Sequence, residues 1–74
     1  MEITLKLFNM LCQYGPDIEQ KSLPEEITVG EVIAMVKIPK EIPLLRIVNG
    51  VHVPADHRLK EGDVLALFPP IAGG

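Results

Sequence analysis

The sequence predicts an α+β fold in which one mixed sheet of about five strands carries a single short helix across one face. Alternating apolar and polar residues near both ends of the chain predict two half-buried strands, residues 2–8 and 64–68. An apolar stripe with helical spacing occurs once between them. With 74 residues and no internal repeat, the chain has the size of one small domain, residues 1–74. Such a chain buries only about 60% of its unfolded surface, so we do not expect it to enclose a catalytic cleft by itself.

Charge and hydropathy exclude two classes of partner. The formal net charge is −3 and the seven basic residues are scattered along the chain, so we expect binding to neither nucleic acid nor an anionic membrane. The longest apolar stretch, residues 64–72, is too short to span a bilayer and contains Pro69 and Pro70. The amino-terminal residues alternate in polarity and lack a basic leader. We therefore expect a soluble, cytoplasmic protein.

Cysteine and histidine, which often act as nucleophiles, general bases or metal ligands, are rare in the chain. The single cysteine, Cys12, cannot form an internal disulfide, which agrees with a reducing compartment, and we expect a small buried hydrophobe at this position. His52 and His57 lie at a hairpin and a turn, remote in sequence from Cys12. The pattern therefore predicts no metal site and no catalytic arrangement of side chains.

The first predicted strand, residues 2–8, has Phe8 on its outer side, where this ring faces solvent or a partner. A long loop, residues 9–17, leads to a weaker strand, residues 18–23, whose polar sequence before Pro24 is typical of a sheet edge. The inner side of the first strand carries Ile3, Leu5 and Leu7.

The one helix is predicted over residues 29–37. Thr28 and Glu31 have capping-box spacing, which marks its start, and Pro39 ends it. Because so short a helix is marginal alone, its apolar stripe must pack on the sheet. The stripe consists of Val29, Val32, Ile33 and Val36.

A tight hairpin follows, with strands at residues 44–48 and 51–53 joined by the type I′ dipeptide Asn49-Gly50. We expect Arg46 to point outward, which assigns an inner and an outer side to the first of these strands. The predicted inner residues are Leu45 and Ile47, and the predicted outer residues are Leu44 and Val48.

The last strand, residues 64–68, follows a turn at residues 60–63, and its bulkier side chains, Leu65 and Leu67, are placed inward. The first and last strands are expected to be parallel neighbours. This element order predicts a β-grasp, the ubiquitin-like architecture, although some ferredoxin-like and toxin-related domains match the order equally well. The outward residues of the last strand are Val64, Ala66 and Phe68.

Strand parity predicts an apolar patch for partner binding on the open face of the sheet. Parallel first and last strands would bring Phe8 and Phe68 to the same end, with Ala66 and Val48 nearby. Aromatic side chains are favoured as interface anchors, so Phe68 is the first candidate and Phe8 the second. The alternative is that Phe68 fills the core.

The chain ends in a tail, residues 69–74, that two successive prolines exclude from a central strand position. We expect this tail to project from the domain and to be extended and mobile beyond Pro70. A Gly-Gly end by itself is a weak signal. After a stiff Pro-Pro spacer on a β-grasp domain it indicates a function for the terminus.

The ending Phe-Pro-Pro-x-x-Gly-Gly, together with Gly62-Asp63 and residues 48–50, resembles that of the ubiquitin-like sulfur carriers. Within this family the chain is most similar to the small subunit of molybdopterin synthase. Residues 49–54 also resemble the thiamine-pathway sulfur carrier.

The resemblance implies a carrier rather than an enzyme, with no bound cofactor. A ubiquitin-activating-enzyme-like adenylyltransferase would use ATP to adenylate Gly74, and a sulfur donor protein would then leave a thiocarboxylate there. Gly73 and Gly74 provide an end without side chains for a narrow channel. The carrier would insert its tail into the molybdopterin synthase large subunit, in a heterotetramer, for dithiolene formation. The tail residues implied to contact partners are Pro69, Pro70, Ile71 and Ala72.

Two other classes of function stay open: a ubiquitin-like modifier joined to lysines, and a plain interaction domain whose glycine tail has no role. Within the carrier class, molybdopterin synthesis leads, and thiamine thiazole synthesis or a tungsten-cofactor counterpart are the alternatives.

Overall fold

The computed structural model describes residues 1–70, which form one five-stranded sheet with the strand order β2-β1-β5-β3-β4. A 3₁₀ helix, Asn9–Tyr14, follows β1, and the α-helix α1, Val29–Val36, follows β2. The strands are β1 (Glu2–Leu7), β2 (Ile18–Ser22), β3 (Leu45–Val48), β4 (Val51–His52) and β5 (Val64–Phe68).

The first and last strands are parallel neighbours near the middle of the sheet. In their register Thr4 lies beside Val64 and Leu7 beside Leu67. The remaining strand pairs are antiparallel, and β2 lies at an edge as its polar sequence predicts. The β-grasp prediction is therefore confirmed.

One hydrophobic core lies between α1 and the face of the sheet to which Leu5 and Leu65 point. The predicted inward side chains of β1 and β5 are all buried there, and the helix contributes Val29 and Val32. Ile33 and Val36 pack against the same cluster with partial exposure. The helical stripe and the alternation of both long strands are thus confirmed. The full set of buried core residues is Ile3, Leu5, Leu7, Leu11, Leu23, Ile27, Val29, Val32, Ile38, Val48, Leu59, Leu65 and Leu67.

Helix α1 begins with the predicted capping box. The Thr28 hydroxyl oxygen accepts a hydrogen bond from the Glu31 amide at 3.1 Å, and the Glu31 carboxylate accepts one from the Thr28 amide at 2.8 Å. The Glu31 carboxylate also accepts a hydrogen bond from the Thr28 hydroxyl at 3.1 Å. The two hydrogen bonds that this carboxylate accepts, from the Thr28 amide first and from the hydroxyl second, lower the pKa of Glu31 from its ordinary value of 4.5. The helix ends at Val36, one residue earlier than expected, because Lys37 adopts the left-handed conformation at φ 67°.

The Asn49-Gly50 hairpin is confirmed, with positive φ at both residues, 51° and 85°. Asn49 also fastens the hairpin to the start of β5. Its side-chain amide nitrogen donates to the Asp63 carboxylate at 2.9 Å, and its side-chain oxygen accepts from the Val64 amide at 2.9 Å.

Two local predictions are wrong. The segment after β1 is not simply a loop, because residues 9–14 form the 3₁₀ helix that buries Leu11. Cys12 is exposed rather than buried. On this short helix Leu11 takes the buried position, while the Cys12 thiol lies at the surface and donates a hydrogen bond to the Leu7 carbonyl at 3.2 Å.

The prediction of which β3 side chains face the core is also wrong. The antiparallel register places Val48 opposite Leu65 and Arg46 opposite Leu67, so both lie on the helix side of the sheet. Val48 is buried in the core. Arg46 is accommodated there because its long side chain runs along a groove beside the helix, where its Nε donates to the Val53 carbonyl at 3.2 Å.

Candidate functional site

The face of the sheet opposite α1 carries a continuous row of side chains across all five strands. Cross-strand registers pair Lys6 with both Ile18 and Ala66, Ala66 with Ile47, and Ile47 with His52. Paired residues share a face, so this row is fixed by the register alone. It is apolar apart from Lys6 on β1 and His52 on β4.

A second row, closer to the carboxyl end of β5, consists of Phe8, Phe68 and Leu45. The rings of Phe8 and Phe68 are stacked, with centroids 4.2 Å apart and planes at 12°. Leu45 lies opposite Phe68 in the antiparallel register. The Phe8 amide donates to the Leu67 carbonyl at 3.2 Å, which extends the pairing of β1 with β5 beyond the regular strand and brings the two rings together.

The apolar residues of these two rows form a surface that we call the apolar patch. Ile18 is 59% exposed and Leu45 38%, whereas the two phenylalanines are half-buried against each other. Large aliphatic side chains with this exposure beside an aromatic pair are typical of a docking surface. The patch consists of Phe8, Ile18, Leu45, Ile47, Ala66 and Phe68.

The structure brings together three of the predicted partner-binding residues, Phe8, Phe68 and Ala66. The alternative that Phe68 fills the core is wrong, because Phe68 lies on the open face and remains half-exposed. Val48, predicted to join the patch, points into the core on the other side of the sheet.

Pro69 is buried, whereas the sequence predicts a tail that projects from this residue onward. The alternation of β5 explains the difference: Leu65 and Leu67 point inward, and Pro69 continues that parity one step beyond the strand. Pro70 is exposed. The predictions for Ile71, Ala72, Gly73 and Gly74, including an extended and mobile tail, lie outside the described residues.

Sequence reasoning missed Leu45, Ile47 and Ile18. The outward position of Ile18 follows from its antiparallel register with Lys6, since Ile18 lies directly opposite that residue. For β3 the signal was ambiguous, since both sides of the strand are apolar and only the pairing with β5 selects between them.

A shallow depression of about 340 Å³ adjoins the patch between the end of β1 and the start of β2. Cys12 and Asp17 line this depression, together with Lys6, Phe8 and Ile18. Within residues 1–70, no group of three or more His, Cys, Asp or Glu side chains is placed to hold a metal ion. The described face is suited to docking of an apolar partner surface next to the end of β5.

Comparison with known proteins places this architecture in a family. A protein-family model, described as the ThiS family, matches residues 5–74, which is nearly the whole chain. The chain belongs to the ThiS family. The resemblance to ubiquitin-like sulfur carriers predicted from the ending is therefore confirmed.

Solved structures agree with this assignment of the ThiS-family chain. A structure described as molybdopterin converting factor subunit 1 from Pyrococcus furiosus is 31% identical, with a TM-score of 0.80, and the match covers 96% of this chain and 99% of that one. SAMP1 from Haloferax volcanii is 25% identical, with a TM-score of 0.72 and full coverage of both chains. No curated protein sequence matches the chain.

A third similar structure is a complex of subunits 1 and 2 of the molybdopterin-converting factor from Helicobacter pylori. It is 18% identical with a TM-score of 0.68 and full coverage of both chains, so it supports the fold. The ThiS-family chain therefore shares its fold with a subunit of that complex. In the described part of the chain, α1 has eight residues and no helix has the length and hydropathy of a membrane span.

Proposed function

We propose that this chain is a sulfur carrier whose Gly74 carboxylate is adenylated and converted to a thiocarboxylate. In this proposal the carrier is the small, non-catalytic subunit of molybdopterin synthase and donates sulfur for dithiolene formation. The observation that carries the proposal is the position of the apolar patch. On a ThiS-family fold, β5 ends at Phe68 within the patch, six residues before Gly74.

The distance from the patch to the terminus fits a docked carrier. Six residues span at most about 22 Å when fully extended, so a partner that covers Phe68 can hold its active centre within reach of Gly74. Docking then supplies orientation and the tail supplies the reacting group. Side chains are absent at Gly73 and Gly74, which suits entry of the end into a narrow channel.

The proposed chemistry has two steps. A carboxylate oxygen of Gly74 attacks the α-phosphorus of ATP, and pyrophosphate leaves, which gives an acyl adenylate. Sulfur at the oxidation level of sulfide then attacks the acyl carbon, and AMP leaves with the electron pair of the broken C–O bond. The product is a terminal thiocarboxylate, ionised at neutral pH and nucleophilic at sulfur.

Three partners follow from these steps. An adenylyltransferase resembling ubiquitin-activating enzymes binds ATP, a donor protein supplies sulfur, and a molybdopterin synthase large subunit consumes it within a heterotetramer. The Helicobacter pylori complex of subunits 1 and 2 supports the choice of the large subunit as a partner. In this proposal the catalytic side chains belong to these partners, and residues 1–70 supply the docking surface.

Reconstitution tests the proposal. The full chain is incubated with the activating enzyme from the same genome, ATP and sulfide, and its intact mass is measured. We expect a species heavier by the difference between one sulfur and one oxygen atom, which an alkylating reagent modifies at the terminus. Omission of ATP is the control. No mass change with active enzyme would overturn the proposal.

The acceptor is tested separately. Thiocarboxylated chain is given to the large subunit with the cyclic pyranopterin precursor, and molybdopterin formation is measured. Sulfur transfer only to a thiazole synthase would instead assign the carrier to thiamine synthesis. SAMP1 is a small archaeal modifier protein, and the likeness to it makes protein modification the second candidate function. A ladder of lysine conjugates would be the decisive product of that function.

A further inference from the structure

A single lysine, Lys6, interrupts the apolar patch on strand β1. Lys6 lies between Ile18 and Ala66 in the cross-strand register, and its side chain is half-buried on the open face. The next outward position along β1 toward the carboxyl end of β5 is Phe8. Lys6 therefore has, on three sides, residues that a docked partner would cover.

The described chain provides no anion for this cation. Within residues 1–70 the ion pairs are Lys21 with Glu19 and Arg58 with Glu26, and Lys6 takes part in neither. On the same face Glu2 lies at the far end of β1, where its carboxylate accepts a hydrogen bond from the Ser22 hydroxyl at 2.9 Å. Asp17 lines the depression next to Lys6 without forming an ion pair with it.

An apolar partner surface laid over Lys6 would remove water from its ammonium group without replacing the lost hydrogen bonds. Such an unpaired charge weakens binding, whereas a carboxylate placed opposite the charge compensates for the desolvation. We propose that the molybdopterin synthase large subunit presents a carboxylate to Lys6 from within an apolar docking surface. The occupant named here rests on the proposed function, and the charge opposite Lys6 is the new element.

Charge complementarity also argues against a second copy of the chain as the occupant. Two copies placed face to face would bring a second lysine to the same surface, whereas Glu2 lies at the far end of β1 and Asp17 in the depression beside the patch. Like charges at an interface cost binding energy, which favours a partner of opposite charge.

The test measures binding of the full chain to the large subunit from the same genome by titration calorimetry at low and high salt. We expect Lys6→Met to weaken binding about tenfold and Lys6→Glu about a hundredfold, because each leaves the partner carboxylate unpaired or repelled. The salt dependence seen with Lys6 should disappear in Lys6→Met. Lys40→Glu is the matched control: it reverses an exposed charge near the groove beside α1 and should leave binding unchanged.

Charge reversal on the partner completes the experiment. Each acidic residue of the large subunit is changed to lysine in turn, and one of these variants should bind the Lys6→Glu chain more tightly than it binds the Lys6 chain. Melting temperatures verify that the variants fold. If the Lys6→Glu chain does not fold, the inference is tested by comparing the salt dependence of binding between the Lys6→Met chain and the unsubstituted chain.

The outcomes separate this inference from the proposed function. Unchanged binding of both Lys6 variants, with Phe68→Ala weakened, would show that Lys6 only keeps the open face soluble, and would overturn the inference while the docking surface stands. Self-association through the open face, detected by sedimentation of the chain alone, would also overturn it. Failure of the unsubstituted chain to bind the large subunit would overturn both proposals.

Discussion

We expect the stacked pair of Phe8 and Phe68 to contribute to docking more than to folding, because both rings lie on the face that α1 leaves open. We predict that Phe68→Ala weakens binding to the large subunit by about 2 kcal/mol or more. The same substitution should lower the free energy of unfolding by about 0.5–1.5 kcal/mol for the lost aromatic contact. The partial burial of the ring adds a further contribution. Calorimetric binding and urea unfolding measure the two effects.

The neighbouring residue provides the control for this prediction. Leu67 is fully buried on the opposite side of the same strand, so Leu67→Ala should lower the free energy of unfolding by about 2–5 kcal/mol. A Phe68→Ala chain as destabilised as Leu67→Ala, with normal affinity once folded, would show that the ring acts as a core residue.

Asn49 combines a positive φ with two side-chain hydrogen bonds to the start of β5. Asn49→Gly keeps the backbone conformation and loses the bonds, at about 0.5–1.5 kcal/mol for each. Asn49→Ala adds the cost of a left-handed conformation, about 1–2 kcal/mol. We therefore expect the stability order Asn, Gly, Ala in urea unfolding, and an alanine variant as stable as the glycine variant would contradict the role of φ.

At the scale of elements, the first turn of α1 illustrates how a short helix is held in place. Its first three amides all have partners: Val29 donates to the His57 carbonyl at 3.0 Å, Gly30 to the Ala55 carbonyl at 2.8 Å, and Glu31 to Thr28. A side chain at Gly30 would bring its Cβ within 3.3 Å of the Ala55 oxygen. The segment before β5 therefore stabilises the start of the helix, in addition to the capping box.

The capping box makes part of the stability depend on pH. The pKa of Glu31 is lowered in the folded chain, so its ionised form stabilises the fold above its ordinary value of 4.5, and this contribution is lost as pH falls through the lower folded value. We predict that Glu31→Gln melts at a lower temperature than the unsubstituted chain at neutral pH. The difference should vanish in acid. Melting curves from neutral to acid pH measure it, and a difference that grows in acid would contradict the assignment.

The same elements show what a sequence can and cannot predict. The capping box, the Asn49-Gly50 turn and the parity of β5 were predictable because each depends on residues close together in the chain. The parity of β3 depends instead on its pairing with β5, about twenty residues away, and its sequence is apolar on both sides. Hence Leu45 and Ile47 joined the site only once the register was known.

Across the whole molecule, the two faces of the sheet have separate tasks. The face toward α1 holds the buried core, whose members in the described chain lie between Ile3 and Leu67. The opposite face holds the apolar patch and Lys6. Parallel pairing of β1 with β5 serves both, because it closes the core on one side and stacks Phe8 on Phe68 on the other.

This division predicts that displacement of the reacting group leaves the fold intact. Deleting Gly74 moves the terminal carboxylate back to Gly73, one residue short of the position that the proposed chemistry requires, while the core between Ile3 and Leu67 is unchanged. Stability should change by no more than about 0.5 kcal/mol, as for a surface substitution, whereas thiocarboxylate formation should be lost. Adding one alanine after Gly74 should have the same two effects, because it moves the carboxylate onto a residue with a side chain. Melting temperature and intact mass after reaction with the activating enzyme measure both, and a shortened chain that still gains sulfur would contradict the role of Gly74.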